Sequence, residues 1–117
     1  MTNSPTETTT ATAAAEPTPA ALVRIERHGP GGHIAELILD RPAAMNAVST
    51  AMARAIATAT SELAADPDVR VVVLTSSHER AFCVGADLKE RNTMSDAELV
   101  AIRPVHRSAY GGVLALP

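Results

Sequence analysis

From Leu22 onward the chain runs in short apolar stretches separated by turn residues. "LVRIERH" sets Leu22, Val23 and Ile25 among Arg24, Glu26 and Arg27, a rough period of two that predicts a half-exposed strand. Pro30-Gly31-Gly32 is a turn signal. "HIAELILD" follows, with Ile34, Leu37, Ile38 and Leu39 apolar, and predicts a second strand. Two strands across so short a turn form a hairpin whose register the pattern leaves open. Pro42 ends the second strand, and Ser49 is placed to cap a helix. In that helix Met52, Ile56, Ala59 and Leu63 recur at helical spacing, giving one narrow buried face that reads as core, not as a partner groove. Pro67 disfavours helical geometry at Asp66, so the helix stops near residues 65–68. "VRVVVLTSS" is β-branched with little alternation, as expected of a strand covered on both sides.

The pattern is less regular beyond residue 77. A short helix is predicted to start at Asp87. Ser95 and Glu98 have the spacing of a capping box that opens another helix, and Pro104, about two turns in, is expected to kink or end it. After Gly111-Gly112, the residues Leu114, Leu116 and Pro117 read as the approach to a further strand. At the other end, residues 1–20 are rich in Thr, Ala and Pro and contain no Lys or Arg. That composition fits neither a secretory signal nor a mitochondrial presequence and reads as a disordered tail, leaving 21–117 as a partial domain.

Composition narrows the function classes. At 117 residues the chain is one domain or part of one. Aromatics are 2 %, Phe82 and Tyr110 alone, so the core is aliphatic. A chain of this length buries less than about 70 % of its unfolded surface, which predicts marginal stability in isolation. A net charge of −3 with scattered Lys and Arg gives no basic stripe, arguing against nucleic acid as a partner. No apolar run approaches the roughly 18 residues of a membrane span. The single Cys83 excludes an internal disulfide, so nothing points to an oxidising compartment and the cytoplasm is the default expectation. His28, His33, His78 and His106 lack the paired spacing of a metal site, so no metal and no cofactor are expected.

The stretch that carries chemistry is "AFCVGADLKER", residues 81–91. A loop between a strand and a helix presents unpaired backbone N–H groups at the helix N-terminus, which suit an anion or a polarised carbonyl oxygen. Gly85 lets another molecule come close to the backbone. Ala86 keeps its N–H while adding one methyl, the requirement for an oxyanion donor; composition alone also allows a simple turn. Asp87 reads first as a helix cap, and Glu79 and Glu90 as solvated charges. Cys83 sits where a helix end would lower a thiol pKa, but without a positioned base it reads as structural.

Three ordered blocks, "LDRPAAMNAVS", "DVRVVVLTSS" and "RAFCVGADLKE", resemble the N-terminal half of the enoyl-CoA hydratase/isomerase family, the crotonases. The resemblance runs from about Leu22 to Glu90 and more loosely to Pro117. It implies an α/β fold, the N-terminal ββαβ part of a crotonase-like (ClpP/crotonase) superhelix, and an acyl-CoA thioester as substrate and partner. It implies that the Ala86 N–H donates to the thioester oxygen. Val84, Gly85, Ala86, Asp87, Leu88 and Lys89, with Ala44 and Met45, would then border coenzyme A. It also implies a trimer or hexamer for full-length relatives. The family's second oxyanion donor and its acid/base carboxylates lie in segments with no counterpart before Pro117. The expectation is therefore an apparently truncated hydratase/isomerase-type portion, inactive as the isolated chain. The alternatives are a non-catalytic remnant, or a module that binds coenzyme A or docks on a relative.

Overall fold

The computed structural model describes residues 19–117. A helical turn, α1 (Pro19–Leu22), leads into strand β1 (Val23–His28). A tight turn at Pro30–Gly32 then delivers β2 (Ile34–Leu39). The two strands pair antiparallel, Val23 opposite Leu39 and His28 opposite Ile34. A 3-10 turn at Pro42–Ala44 precedes helix α2 (Thr50–Ala65), after which β3 (Val71–Ser76) pairs parallel with β2. A parallel neighbour needs a crossover that carries the chain back along the sheet, and α2 is that crossover. The sheet order is β1-β2-β3. Two further helices follow, α3 (Leu88–Arg91) and α4 (Asp96–Leu114).

Helix α2 starts at Ser49, whose side chain accepts the Met52 N–H, and ends at Asp66 beside Pro67. Its buried stripe of Met52, Ala53, Ile56, Ala59 and Leu63 joins Ala35, Leu37 and Leu39 of β2 in one apolar cluster. Ala109 of α4 belongs to the same cluster. Gly112 brings α4 close to α2, since a Cβ there would meet Thr60 Oγ1. Among the described residues no helix is long and apolar enough to cross a membrane.

Several expectations need correction. β3 is not covered on both sides: Val71 and Val73 are 49 % and 44 % exposed. Val72 and Leu74 face the helices, while the other face carries polar groups such as Glu36, bonded to Thr75 Oγ1 at 2.8 Å. Pro104 does not end its helix, because α4 runs through it to Leu114. The N–H that proline lacks would have bonded the Val100 carbonyl. Val100 and Pro104 are both exposed, so water can serve that carbonyl. Gly111, Gly112 and Leu114 are helical and not the approach to a strand. The tail predicted over 1–20 lies outside the described residues except for Pro19 and Ala20, which open α1. The capping box is present as predicted, Ser95 Oγ accepting the Glu98 N–H at 3.1 Å and Glu98 accepting the Ser95 N–H at 2.8 Å.

Candidate functional site

The loop from Ser77 to Asp87 is shaped by polar groups, not by a hydrophobic plug. Ser76 Oγ accepts the His78 N–H at 3.0 Å and donates to the Ala81 carbonyl at 2.7 Å. His78 Nδ1 accepts the N–H groups of Arg80 and Ala81 at 3.0 and 2.9 Å. The first half of the loop is thereby closed on itself.

Asn46 joins this loop to the turn after β2. Its backbone is left-handed (φ 58), a conformation Asn accepts more readily than most residues. It is fully buried, and its amide is used at both ends. Oδ1 accepts the Arg41 N–H at 2.7 Å, while Nδ2 donates to Ser76 Oγ at 2.8 Å and to the Phe82 carbonyl at 2.9 Å. The Asn46 carbonyl accepts from Cys83 Sγ at 3.2 Å, and the Met45 carbonyl accepts the Val84 N–H at 3.2 Å. Cys83 is therefore a structural contact of the turn.

Val48 and Ala86 then form an isolated parallel bridge. Val48 N–H donates to the Gly85 carbonyl at 2.7 Å, and Asp87 N–H donates to the Val48 carbonyl at 3.1 Å. In a parallel bridge the flanking residues make both bonds. The amide of Ala86 lies between them, takes no part in the bridge and faces away from Val48. Gly85 reaches this arrangement with φ 97 and has no atom within 4 Å of where a Cβ would sit, so the backbone here is open to an approaching molecule.

Asp87 is 9 % exposed. Its Oδ1 caps α3 by accepting the Glu90 N–H at 3.1 Å, and its Oδ2 accepts from Arg41 Nη1 at 2.8 Å. Burial is the largest influence on this carboxyl and works to raise its pKa. The Arg41 and Glu90 hydrogen bonds, the Arg41 charge and the Lys89 amide together outweigh it and hold the group below its usual value. Glu90 is also engaged: its Oε1 accepts the N–H and Oγ1 of Thr50 at 2.8 and 3.0 Å, against the positive end of α2.

The structure brings Met45, Val84, Gly85, Ala86 and Asp87 together around the bridge. Ala44 lies in the 3-10 turn beside them, while Leu88 and Lys89 stand exposed on α3. Next to Phe82 and Cys83 is an apolar cavity of about 310 Å³, lined also by Leu74, Tyr110, Val113 and Leu114. Arg41, Asn46, Ser76 and the anchoring role of Glu90 escaped the sequence reading. Both Arg41 and Asn46 lie in the "LDRPAAMNAVS" block, but nothing local to Arg41 points to a partner 46 positions away.

The histidines are less isolated than their spacing suggested. His28 Nε2 lies 2.8 Å from Glu36, and Glu26 is near both, the ligating atoms lying within 4.8 Å of one another. These groups are exposed or half-buried, and Glu26 is also paired with Arg24. His106 is buried on α4, and its ring nitrogens have no hydrogen-bond partner among the described residues. Burial, then the nearby Arg91 charge, lowers its pKa, with Glu90 acting in the opposite direction.

Residues 34–111 match the family described as enoyl-CoA hydratase/isomerase. The chain is 42 % identical over 71 residues to enoyl-CoA hydratase domain-containing protein 2, mitochondrial, of Bos taurus, covering 61 % of this chain and 24 % of that protein. Among solved structures, an enoyl-CoA hydratase from Bacillus anthracis matches with a TM-score of 0.71 at 28 % identity, covering 79 % of this chain and 35 % of that one. An enoyl-CoA hydratase/carnithine racemase from Magnetospirillum magneticum matches with a TM-score of 0.71 at 33 % identity, covering 79 % and 34 %. The chain thus spans between 24 % and 35 % of these proteins' lengths. The crotonase-like α/β architecture and the resemblance read from the three sequence blocks are borne out.

Proposed function

The chain belongs to the enoyl-CoA hydratase/isomerase family, and we propose that it forms the acyl-CoA-binding part of such a site, with the Ala86 amide as an oxyanion donor. The observation that carries this reading is the Ala86 N–H, left out of the Val48 bridge on a loop opened by Gly85. When a thioester loses its α-proton, or a 2-enoyl thioester accepts a nucleophile at its β-carbon and its double-bond electrons shift, negative charge gathers on the carbonyl oxygen. A fixed N–H aimed there stabilises the enolate more than the ground state.

In this reading coenzyme A passes Ala44 and Met45 on one side and Val84 to Lys89 on the other. The acyl group enters the cavity beside Phe82 and Cys83. The second oxyanion donor and the acid/base groups come from outside the described residues, since Asp87 and Glu90 are both held in structural bonds. Binding without turnover is accordingly the behaviour proposed for the isolated chain, and a trimer or hexamer for the complete type of enzyme. The cytoplasm is the proposed compartment; the free Cys83 fits a reducing compartment in general, and the relative from Bos taurus is mitochondrial by name.

Calorimetry with butyryl-CoA and with the S-butyl thioether of coenzyme A tests the donor. The thioether lacks the carbonyl oxygen but keeps everything else. One hydrogen bond worth about 1 kcal/mol predicts about fivefold tighter binding of the thioester. Ala86→Pro, which removes the N–H, should abolish that preference. Equal affinities in the unmodified chain would refute the assignment.

A further inference from the structure

We propose that Arg41 is a positioning residue that aims the Ala86 amide, by clasping the two sides of the Val48–Ala86 bridge with one guanidinium nitrogen. Nη1 donates to the Ala47 carbonyl at 2.8 Å and to Asp87 Oδ2 at 2.8 Å. Ala47 immediately precedes Val48, and Asp87 immediately follows Ala86, so the clasp spans the bridge itself. The backbone of Arg41 is fixed in turn by the Asn46 Oδ1 bond at 2.7 Å.

The bridge needs such a support. It is isolated, with two hydrogen bonds of its own. The chain before it is held at Val84 by the Met45 carbonyl, but Gly85, with φ 97 and no atom within 4 Å of where a Cβ would sit, adds no side-chain packing at the bridge. Asp87 is held from the other side by the α3 cap through Oδ1, so its two oxygens tie the helix and the clasp together. A planar guanidinium sends two N–H bonds from one nitrogen in fixed directions, whereas a lysine ammonium on a flexible stem does not. Lysine keeps the charge and still fails to replace the clasp. The functional consequence rests on Ala86 being an oxyanion donor; the geometric role does not.

Backbone amide relaxation of the full chain by NMR, unliganded, reads the geometric role. The Ala86 order parameter is expected near the rigid value of about 0.85 and to fall below about 0.6 in Arg41→Lys, with Val72 in β3 unchanged. The same variant should lose the roughly fivefold thioester preference while binding the S-butyl thioether within about twofold of the unmodified chain. A rigid Ala86 amide and an intact preference in Arg41→Lys would overturn the clasp. No preference in the unmodified chain would refute the donor reading alone, and the order parameter would still decide the clasp. Should Arg41→Lys fail to fold, Asp87→Asn, which keeps a capping oxygen but removes the ion pair, carries the same two measurements.

Discussion

Helix α2 and the segment just before it solve burial in opposite ways. From Met52 to Leu63 the helix buries Met, Ile, Leu and Ala against Leu37 and Leu39, and none of these side chains needs a partner of defined direction. Residues 41–49 bury Asn46, Ser49 and most of Arg41, and each is matched to named donors or acceptors. Apolar packing scales with area and adapts to small shifts. A buried polar network loses heavily when one member goes. The first region therefore supplies cohesion, and the second supplies position for the Ala86 loop.

Breaking both halves distinguishes them. Arg41→Ala removes the charged partner of the largely buried Asp87 carboxylate, which keeps only its backbone N–H donors, and should cost about 3 kcal/mol, read from urea unfolding midpoints. Leu37→Ala, at a fully buried core position, should cost about 3 kcal/mol through lost burial and a cavity, yet leave the thioester preference of the folded chain intact. The sharper comparison is Arg41→Met with Asp87→Leu. Removing both charges should recover much of the stability lost in Arg41→Ala without restoring that preference. Recovery of both would mean that the network contributes cohesion and nothing more.

Acid probes the polar network separately, through Asp87, and α4 through the buried His106. The Asp87 pKa is lowered in the fold, so its contribution is complete above its unfolded value of about 3.9 and disappears as pH falls through the lower folded value. The His106 pKa is also lowered, because burial favours the neutral ring. The unfolded chain then takes up the proton first, near pH 6.5, and stability declines from there until the folded ring protonates too. Melting temperature should thus fall in two steps. His106→Leu should remove the upper step, and Asp87→Asn should reduce the lower, to which Glu36, Asp40 and Asp66, also held below their usual values, contribute as well. A single step that neither substitution moves would show that other groups control acid unfolding.

The smallest effect is conformational. Gly85→Ala meets no atom within 4 Å, so its cost comes from φ 97 alone, about 1–2 kcal/mol. At Gly112 the same substitution meets Thr60 Oγ1 on α2, so its cost is steric and lies in the core. Equal loss of thioester preference in the two variants would contradict the division of roles.

The local elements were legible in the chain because local chemistry sets them. Ser49 and Ser95 cap helices, Pro67 closes α2, and the Met52-Ile56-Leu63 stripe faces the core. The motif "VGADL" located the loop, and Asp87 as a cap followed from its place before α3. Misreadings arose where neighbours in space, not in sequence, decided the outcome. The β-branched run of β3 does not reveal that helices cover one of its faces. Pro104 does not reveal that it and Val100, whose carbonyl it leaves without its helical donor, are exposed. Arg41 and Asp87, 46 residues apart, are bonded because β2, α2 and β3 return the chain to the same place. Sequence by itself determined the starts of α2, α3 and α4, the strands and the open loop backbone, since caps, periodicity and glycine act within a few residues; it did not determine the extent of α4. Tertiary structure alone decided where the Ala86 amide points, because that direction depends on a bridge to Val48 and a clasp from Arg41, both formed across long loops.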